Sequence, residues 1–114
     1  MKNISLFLIV SIFSNFSNAE DYNMETNVEK VMSYAANSEY TANQCLIFLG
    51  ENLPSKRCQQ KSFGVVYLKN EAGNMMCTLG LTAYLSQKKI VVASHDDCDT
   101  IHSAPILRWV IIKD

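Results

Sequence analysis

Four cysteines in a chain of only 114 residues constrain the fold more than any other feature of this sequence. They are Cys45, Cys58, Cys77 and Cys98. An even number of cysteines in a short exported chain predicts disulfide bonds, because compartments outside the cytoplasm are oxidising. Two bridges worth about 2–4 kcal/mol each would supply much of the stability of so small a domain. Three pairings are possible, and spacing alone does not choose between them. A zinc site is disfavoured, since no two cysteines have C-x-x-C spacing and His95 and His102 are not arranged as a finger pair.

The N-terminus supplies the evidence for export. Lys2 precedes an apolar run over residues 6–13, and the small residues Ser17 and Ala19 then form a small-x-small pattern. This order predicts a cleavable signal peptide at residues 1–19, and hence a secreted or periplasmic protein. A short membrane anchor is the alternative, although the run is about half the ~20 residues that a spanning helix needs.

Removing residues 1–19 from the 114-residue chain leaves 95 residues, which predicts a single domain over residues 20–114. Loss of Lys2 changes the formal net charge from −1 to −2. No basic run is longer than two residues. We therefore expect no nucleic-acid partner. No second stretch is long and apolar enough to span a bilayer, so we also expect no membrane span after signal removal.

The pattern of apolar residues predicts three strands, a helix and two further strands. Residues 20–26 are polar and predict a loose arm, and residues 28–36 predict a first strand or a short helix. The helix is expected after Asn70 or Asn74, with Cys77, Leu81, Tyr84 and Leu85 as its buried stripe. The other predicted strands cover residues 45–49, 63–68, 90–93 and 106–112, and the predicted loops include residues 51–60 and 95–104.

This element order predicts a β-rich α+β fold, namely a small five-stranded OB-fold-like barrel with one helix between strands three and four. Barrel closure is also favoured because strands four and five are apolar on both faces, and an open sheet would expose them. Placing the cysteines on these elements favours a Cys58–Cys98 bridge between two loops. Cys45–Cys77 would then join strand two to the helix.

The most polar cluster lies between strands four and five, where OB-folds commonly bind ligands. Candidate ligand contacts are Tyr40 from the turn at residues 37–42, together with His95, Asp96, Asp97, His102 and Ser103. The alternative is a solvated connection whose aspartates bond to turn backbone. Trp109 shares a predicted strand face with Leu107 and Ile111, whereas Arg108 would point to the opposite face. Trp109 could stack on a sugar or pack in a core or subunit interface.

Catalysis is not predicted. The sequence has no G-x-S-x-G motif to present a serine nucleophile, and all four cysteines are expected to be oxidised. We therefore expect a protein that is not an enzyme, with no catalytic residues, no cofactor and no metal.

Residues 77–112 add a family resemblance. The helix end Ala83-Tyr84-Leu85-Ser86, the lysine turn, the strand at residues 90–92, a cysteine loop and a final apolar strand are similar to the B subunits of AB-type toxins. Subtilase cytotoxin and the pertussis-like typhoid toxin have such subunits. The resemblance implies glycan binding at a host or envelope surface, a homopentamer and an exported catalytic chain as partner. Gln87 stands where relatives often have a glycine that caps the helix.

Two other functions remain open at this point. One is a periplasmic inhibitor or immunity-type protein that blocks a partner enzyme. The other is a structural envelope component without a small ligand. The leading hypothesis is a secreted or periplasmic binding protein.

Overall fold

The computed structural model describes residues 21–35 and 43–113. The predicted signal peptide at residues 1–19 and the turn at residues 37–42, including Tyr40, lie outside the described residues. Within the described ranges, no helix is both long enough and apolar enough to cross a bilayer.

Five strands and one helix make up the described part of the domain. Their order is β1 (Tyr22–Tyr34), β2 (Gln44–Leu49), β3 (Phe63–Tyr67), α1 (Glu71–Ser86), β4 (Lys89–Cys98) and β5 (Pro105–Ile112). The predicted β-rich α+β class, with one helix between strands three and four, is confirmed.

The strands pair in the order β1-β2-β3-β5-β4, and the sheet closes because β4 also pairs with β1. All pairs are antiparallel except β3 with β5, which meet in parallel at Val65 and Ile106. A register shift between Val28 and Lys30 divides β1 into two halves. Its first half pairs with β4 and its second half with β2, so one strand joins two sides of the closed sheet.

Two boundary predictions were wrong for one reason. Residues 20–26 were predicted to be a loose arm, but β1 already begins at Tyr22 and pairs with β4 from Ser94 to Lys89. Tyr22 and Met24 pack against the core, and Thr26 is buried. Asn23 and Glu25, which alternate with them, are exposed. The polar composition conceals this alternation. The alternative of a short helix at residues 28–36 was also wrong, since residues 28–34 belong to β1. Residues 95–98 were predicted to be loop, but they belong to β4.

Strand β2 is buried on both faces and separates two apolar clusters. Cys45, Ile47 and Leu49 face the interior of the closed sheet, where the main cluster lies. Leu46 faces the other way and packs with a second cluster built around Phe63, Val65 and Ala104. Since Ala104 precedes β5, the segment at residues 99–104 covers the outer face of β2 and β3.

Both ends of α1 have defined caps. The Asn70 side chain accepts a hydrogen bond from the Gly73 backbone N–H at 2.9 Å, as an N-cap asparagine does. At the other end, Gln87 adopts the left-handed conformation with φ 56°. The resemblance implied a glycine here, and glutamine takes the same conformation because its backbone N–H bonds to the last turn of the helix.

The face of α1 that packs on the sheet differs from the prediction. Its buried residues are Gly73, Gly80 and Ala83, with Cys77 and Met76 partly buried beside them. Of the predicted stripe, only Cys77 packs against the core, whereas Leu81, Tyr84 and Leu85 are exposed.

Close approach explains this choice of face. A Cβ built on Gly80 would lie 2.7 Å from Ile47 Cδ1, so the helix can sit this near the sheet only where it has no side chain. Disulfide bonds join Cys45 to Cys77 and Cys58 to Cys98, with Cα–Cα distances of 5.9 and 5.5 Å. These are the two pairs that the sequence favoured, and the first bridge fixes the rotation of α1.

Substitution of Gly73 by alanine tests this close packing. A Cβ at Gly73 would overlap the Tyr67 carbonyl oxygen, which is backbone and cannot move aside cheaply. We expect Gly73→Ala to lower the free energy of unfolding by about 1–3 kcal/mol, although alanine favours helix by about 1 kcal/mol. The control Asn74→Ala, on the neighbouring exposed position, should leave the urea midpoint unchanged or raise it. Equal midpoints for both variants would contradict the packing described here.

Candidate ligand site

Asp96, one of the predicted ligand contacts, is turned into the protein. It is 6% exposed and adopts a left-handed backbone with φ 61°. Its carboxylate accepts hydrogen bonds from the Ser55 hydroxyl and, at 3.0 Å, from the Lys56 backbone N–H. The side chain therefore holds the loop at residues 51–60 against β4, close to the Cys58–Cys98 bridge.

Asp99 organises the segment that follows β4. Its side chain has no exposed surface, and it accepts backbone hydrogen bonds from Ile101, His102 and Ala104 at 2.9–3.2 Å. Burial opposes ionisation of this carboxyl. The hydrogen bonds from Ala104 and His102 outweigh that effect and hold the pKa of Asp99 below its ordinary value. Asp99 thus acts as the turn-bonding aspartate that the sequence analysis considered as the alternative.

His102 and Ser103 are part of the same cover. The His102 ring contacts Tyr34 and Phe63 edge-on, with centroid distances of 4.9 and 5.7 Å, and its Nδ1 lies 3.2 Å from Asp99 Oδ2. Ser103 Oγ accepts a hydrogen bond from the Gln59 backbone N–H at 3.2 Å. Asp97 is exposed on β4. The predicted contact residues therefore do not form one site. Asp96 makes buried hydrogen bonds, His102 belongs to an aromatic cluster, and Asp97 is exposed to solvent.

His95 lies elsewhere, at an open pocket of about 400 Å³. The pocket is formed where β1, β4 and β5 meet, and both aromatic and charged side chains line it. His95 Nδ1 contacts the Asp21 carboxylate at its edge. Its lining residues are Asp21, Tyr22, Asn23, Ala93, Ser94, His95, Arg108 and Trp109.

A β-bulge places the side chains of Arg108 and Trp109 on one surface. Ala93 pairs with Trp109 and Ser94 pairs with Leu107, so Arg108 is an extra residue in β5. Arg108 and Trp109 are consequently both exposed, between buried Leu107 and Val110. The predictions that Arg108 points away from Trp109, and that Trp109 shares a face with Leu107, were wrong because strict alternation fails at the bulge.

Tyr22 forms one wall of the pocket. Its ring packs partly against the main core, and burial raises the pKa of its hydroxyl above the ordinary value. The hydroxyl oxygen has no exposed surface and lies beside Ser94, Ser55 and Asp96. It therefore faces the interior of the protein, and only the ring of Tyr22 contributes to the pocket wall.

The chemistry of the pocket is suited to binding. Trp109 offers an aromatic face that is 39% exposed, and Arg108, His95 and Asp21 offer donors and acceptors around it. Among the described residues, no group of three histidine, cysteine, aspartate or glutamate side chains could hold a metal ion. Trp109 was a predicted sugar-stacking candidate, whereas Asp21 and Tyr22 were predicted to lie in a loose arm and not in a site.

Comparison with known proteins adds no relative. No protein-family model matches the chain, and searches of curated proteins and of solved structures find no match.

The role of Asp99 predicts a pH dependence of stability. A carboxyl with a lowered pKa in the folded state stabilises the protein above its ordinary pKa, and this stabilisation is lost as the pH falls through the lowered value. We expect Asp99→Asn to lose about 1–3 kcal/mol of unfolding free energy at neutral pH, because both carboxylate oxygens accept backbone hydrogen bonds and the amide replaces one of them with an NH2 donor. Its urea midpoint should fall less than that of the wild type on acidification.

The exposed neighbour Asp97 supplies the control. Asp97→Asn should change the unfolding free energy by less than about 0.5 kcal/mol at neutral pH. Parallel pH profiles for Asp99→Asn and the unsubstituted protein would show that Asp99 does not contribute in this way.

Proposed function

We propose that this chain is an exported, non-enzymatic sugar-binding protein built on an OB-fold barrel. The strand order β1-β2-β3-β5-β4, with α1 between β3 and β4, supports the OB-fold assignment. The two disulfide bonds support a secreted or periplasmic location, since thiols outside the cytoplasm are oxidised. The resemblance to toxin B subunits favours a glycan as the ligand.

The observation that carries the proposal is the joint exposure of Arg108 and Trp109 at the bulge in β5. A pyranose ring has an apolar C–H face that stacks on an aromatic side chain and a rim of hydroxyls that needs hydrogen bonds. Trp109 supplies the aromatic surface for the C–H face, and Arg108 with the Asp21–His95 pair supplies hydrogen-bonding groups for the hydroxyls. The pocket volume of about 400 Å³ suits one or two sugar rings.

The location of the pocket supports this site over residues 99–104 of the predicted loop. The outer face of β2 and β3, where OB-folds commonly bind, is covered here by residues 99–104. Their polar side chains are engaged in bonds that hold the cover in place. The pocket beside Trp109, in contrast, is open to solvent.

A glycan array tests the proposal directly. The exported protein, with its disulfides intact, is applied to an array of N-linked, O-linked and lipid-linked glycans. Trp109 is the single tryptophan in the chain, so its fluorescence reports occupancy of the pocket when a sugar bound on the array is titrated in solution. We expect a saturable change in emission. An array without signal would overturn the proposed function.

Trp109→Ala should weaken binding of that sugar at least about fivefold, because stacking on an aromatic ring is worth about 1 kcal/mol or more. Ile111→Ala is the matched control, since Ile111 is exposed on the same strand and is outside the pocket. It should bind as the wild type does. Both variants are measured by calorimetry, which does not need the tryptophan. Equal affinity for the two would refute the assignment of the site.

A further inference from the structure

The outward face of α1 is unusual for an exposed helix. From Ala72 to Ser86 the helix has no charged residue. Met75, Leu81 and Leu85 on this face are 58%, 44% and 71% exposed. Surface helices of soluble proteins normally carry charged and polar residues on the side that faces water. We refer to Met75, Thr78, Leu81, Thr82 and Leu85 together as the outer stripe.

Hydroxyl groups on the outer stripe do not make it polar. Thr78 Oγ1 donates to the Asn74 carbonyl at 2.9 Å, and Thr82 Oγ1 donates to the Thr78 carbonyl at 2.8 Å. Ser86 Oγ, at the end of the helix, donates to the Thr82 carbonyl in the same way at 2.7 Å. Because these hydroxyls bond to their own helix, they can be covered by another apolar surface without losing a donor bond.

The outer stripe cannot reach the core of its own domain. The opposite face of α1 is bonded to β2 through Cys77, and Gly80 lies against Ile47. Rotation of the helix would break both contacts and would place side chains where only a glycine fits. Residues 21–35 and 43–113 therefore leave the outer stripe exposed, and an exposed apolar patch of this kind marks a contact surface.

We infer that two copies of this chain pack through the outer stripes of their α1 helices, with the helices antiparallel. The stripes are uncharged, so each can cover the other without burying an unpaired charge. Glu71 lies at the start of the helix, and Lys88 and Lys89 follow its end, where Lys89 Nζ also lies 3.9 Å from Glu25 Oε2 on β1. An antiparallel pair brings opposite charges and opposite helix dipoles together, whereas a parallel pair aligns like charges.

The shape of the surface also fits a second copy. A groove of about 490 Å³ lies beside Leu85, between Tyr84 on the helix and Asn27 and Val28 on β1. In an antiparallel pair, the N-terminal half of the partner helix, which carries Met75, lies over this end. A helix of 16 residues is about 24 Å long, so the contact is small and the dimer should form and dissociate at micromolar concentrations.

This inference does not depend on the proposed function. The outer stripe and its groove share no residue with the pocket beside Trp109. Loss of sugar binding without a change in mass, or the reverse, would therefore separate failure of one proposal from failure of the other.

Light scattering after gel filtration measures the association. The exported protein is loaded over about a hundredfold range of concentration around the micromolar level. We expect the mass to rise from that of a monomer to that of a dimer. Thr82→Glu should have the mass of a monomer at every concentration. Thr82→Val keeps the shape of the side chain and removes only the hydroxyl that bonds to the Thr78 carbonyl, so it should dimerise as the wild type does. Far-ultraviolet circular dichroism checks that both variants fold.

A photoreactive phenylalanine analogue placed at Met75 tests the orientation. Antiparallel packing places Met75 opposite the region of residues 82–85 in the other copy, so cross-linked peptides should join these two regions. Cross-links from position 75 to position 75, in a dimer or in a larger ring, would overturn the antiparallel arrangement. A monomer at all concentrations, or a dimer that Thr82→Glu leaves intact, would overturn the interface itself.

Discussion

The bridge between Cys45 and Cys77 is the constraint on which the arrangement of this domain depends. It joins the start of β2, a strand buried on both faces, to the middle of the only described helix. Gly80 lies one turn further along α1 and permits contact with Ile47. The bridge and this close approach together determine which helix face is buried. The sheet interior is filled from all five strands, and of the larger side chains of the helix Met75, Leu81, Tyr84 and Leu85 remain exposed.

A second set of interactions determines where a ligand has access. Buried Asp99 bonds to the backbone of the segment that follows it, and this segment covers Phe63, Val65 and Leu46. The cover gives the outer face of β2 and β3 an apolar cluster of its own. The open surface is left at the other side of the closed sheet, where β4 and β5 pair irregularly.

Much of the fold was predictable because it follows from local chemistry. The β-branched run of β4, the cap residue Asn70 and the number of cysteines are signals that act within a few residues. The first half of β1 was not predictable from composition, since its inward positions include Thr26 and its outward ones are polar. The buried face of α1 was mistaken for a similar reason. Apolar periodicity favours Leu81 and Leu85, but contact distance favours glycine.

The candidate site was predictable only in part. His95 and Trp109 could be singled out by residue type, yet their meeting depends on pairing among three strands and on one extra residue in β5. Strict alternation places Leu107 and Val110 on opposite faces of β5, although both are buried. The apolar pattern alone therefore does not predict the bulge. The aspartates of the predicted loop were identified correctly as polar, but sequence does not tell whether a carboxylate bonds to backbone or faces solvent.

The bulge also separates the surface of β5 from its interior. Leu107 and Val110 remain buried on either side of it, while positions 108 and 109 contact the core little. Amino-acid replacements at these two positions can therefore accumulate without disturbing folding. A lineage carrying this domain could change its recognition properties through two adjacent codons while the scaffold beneath stays constant.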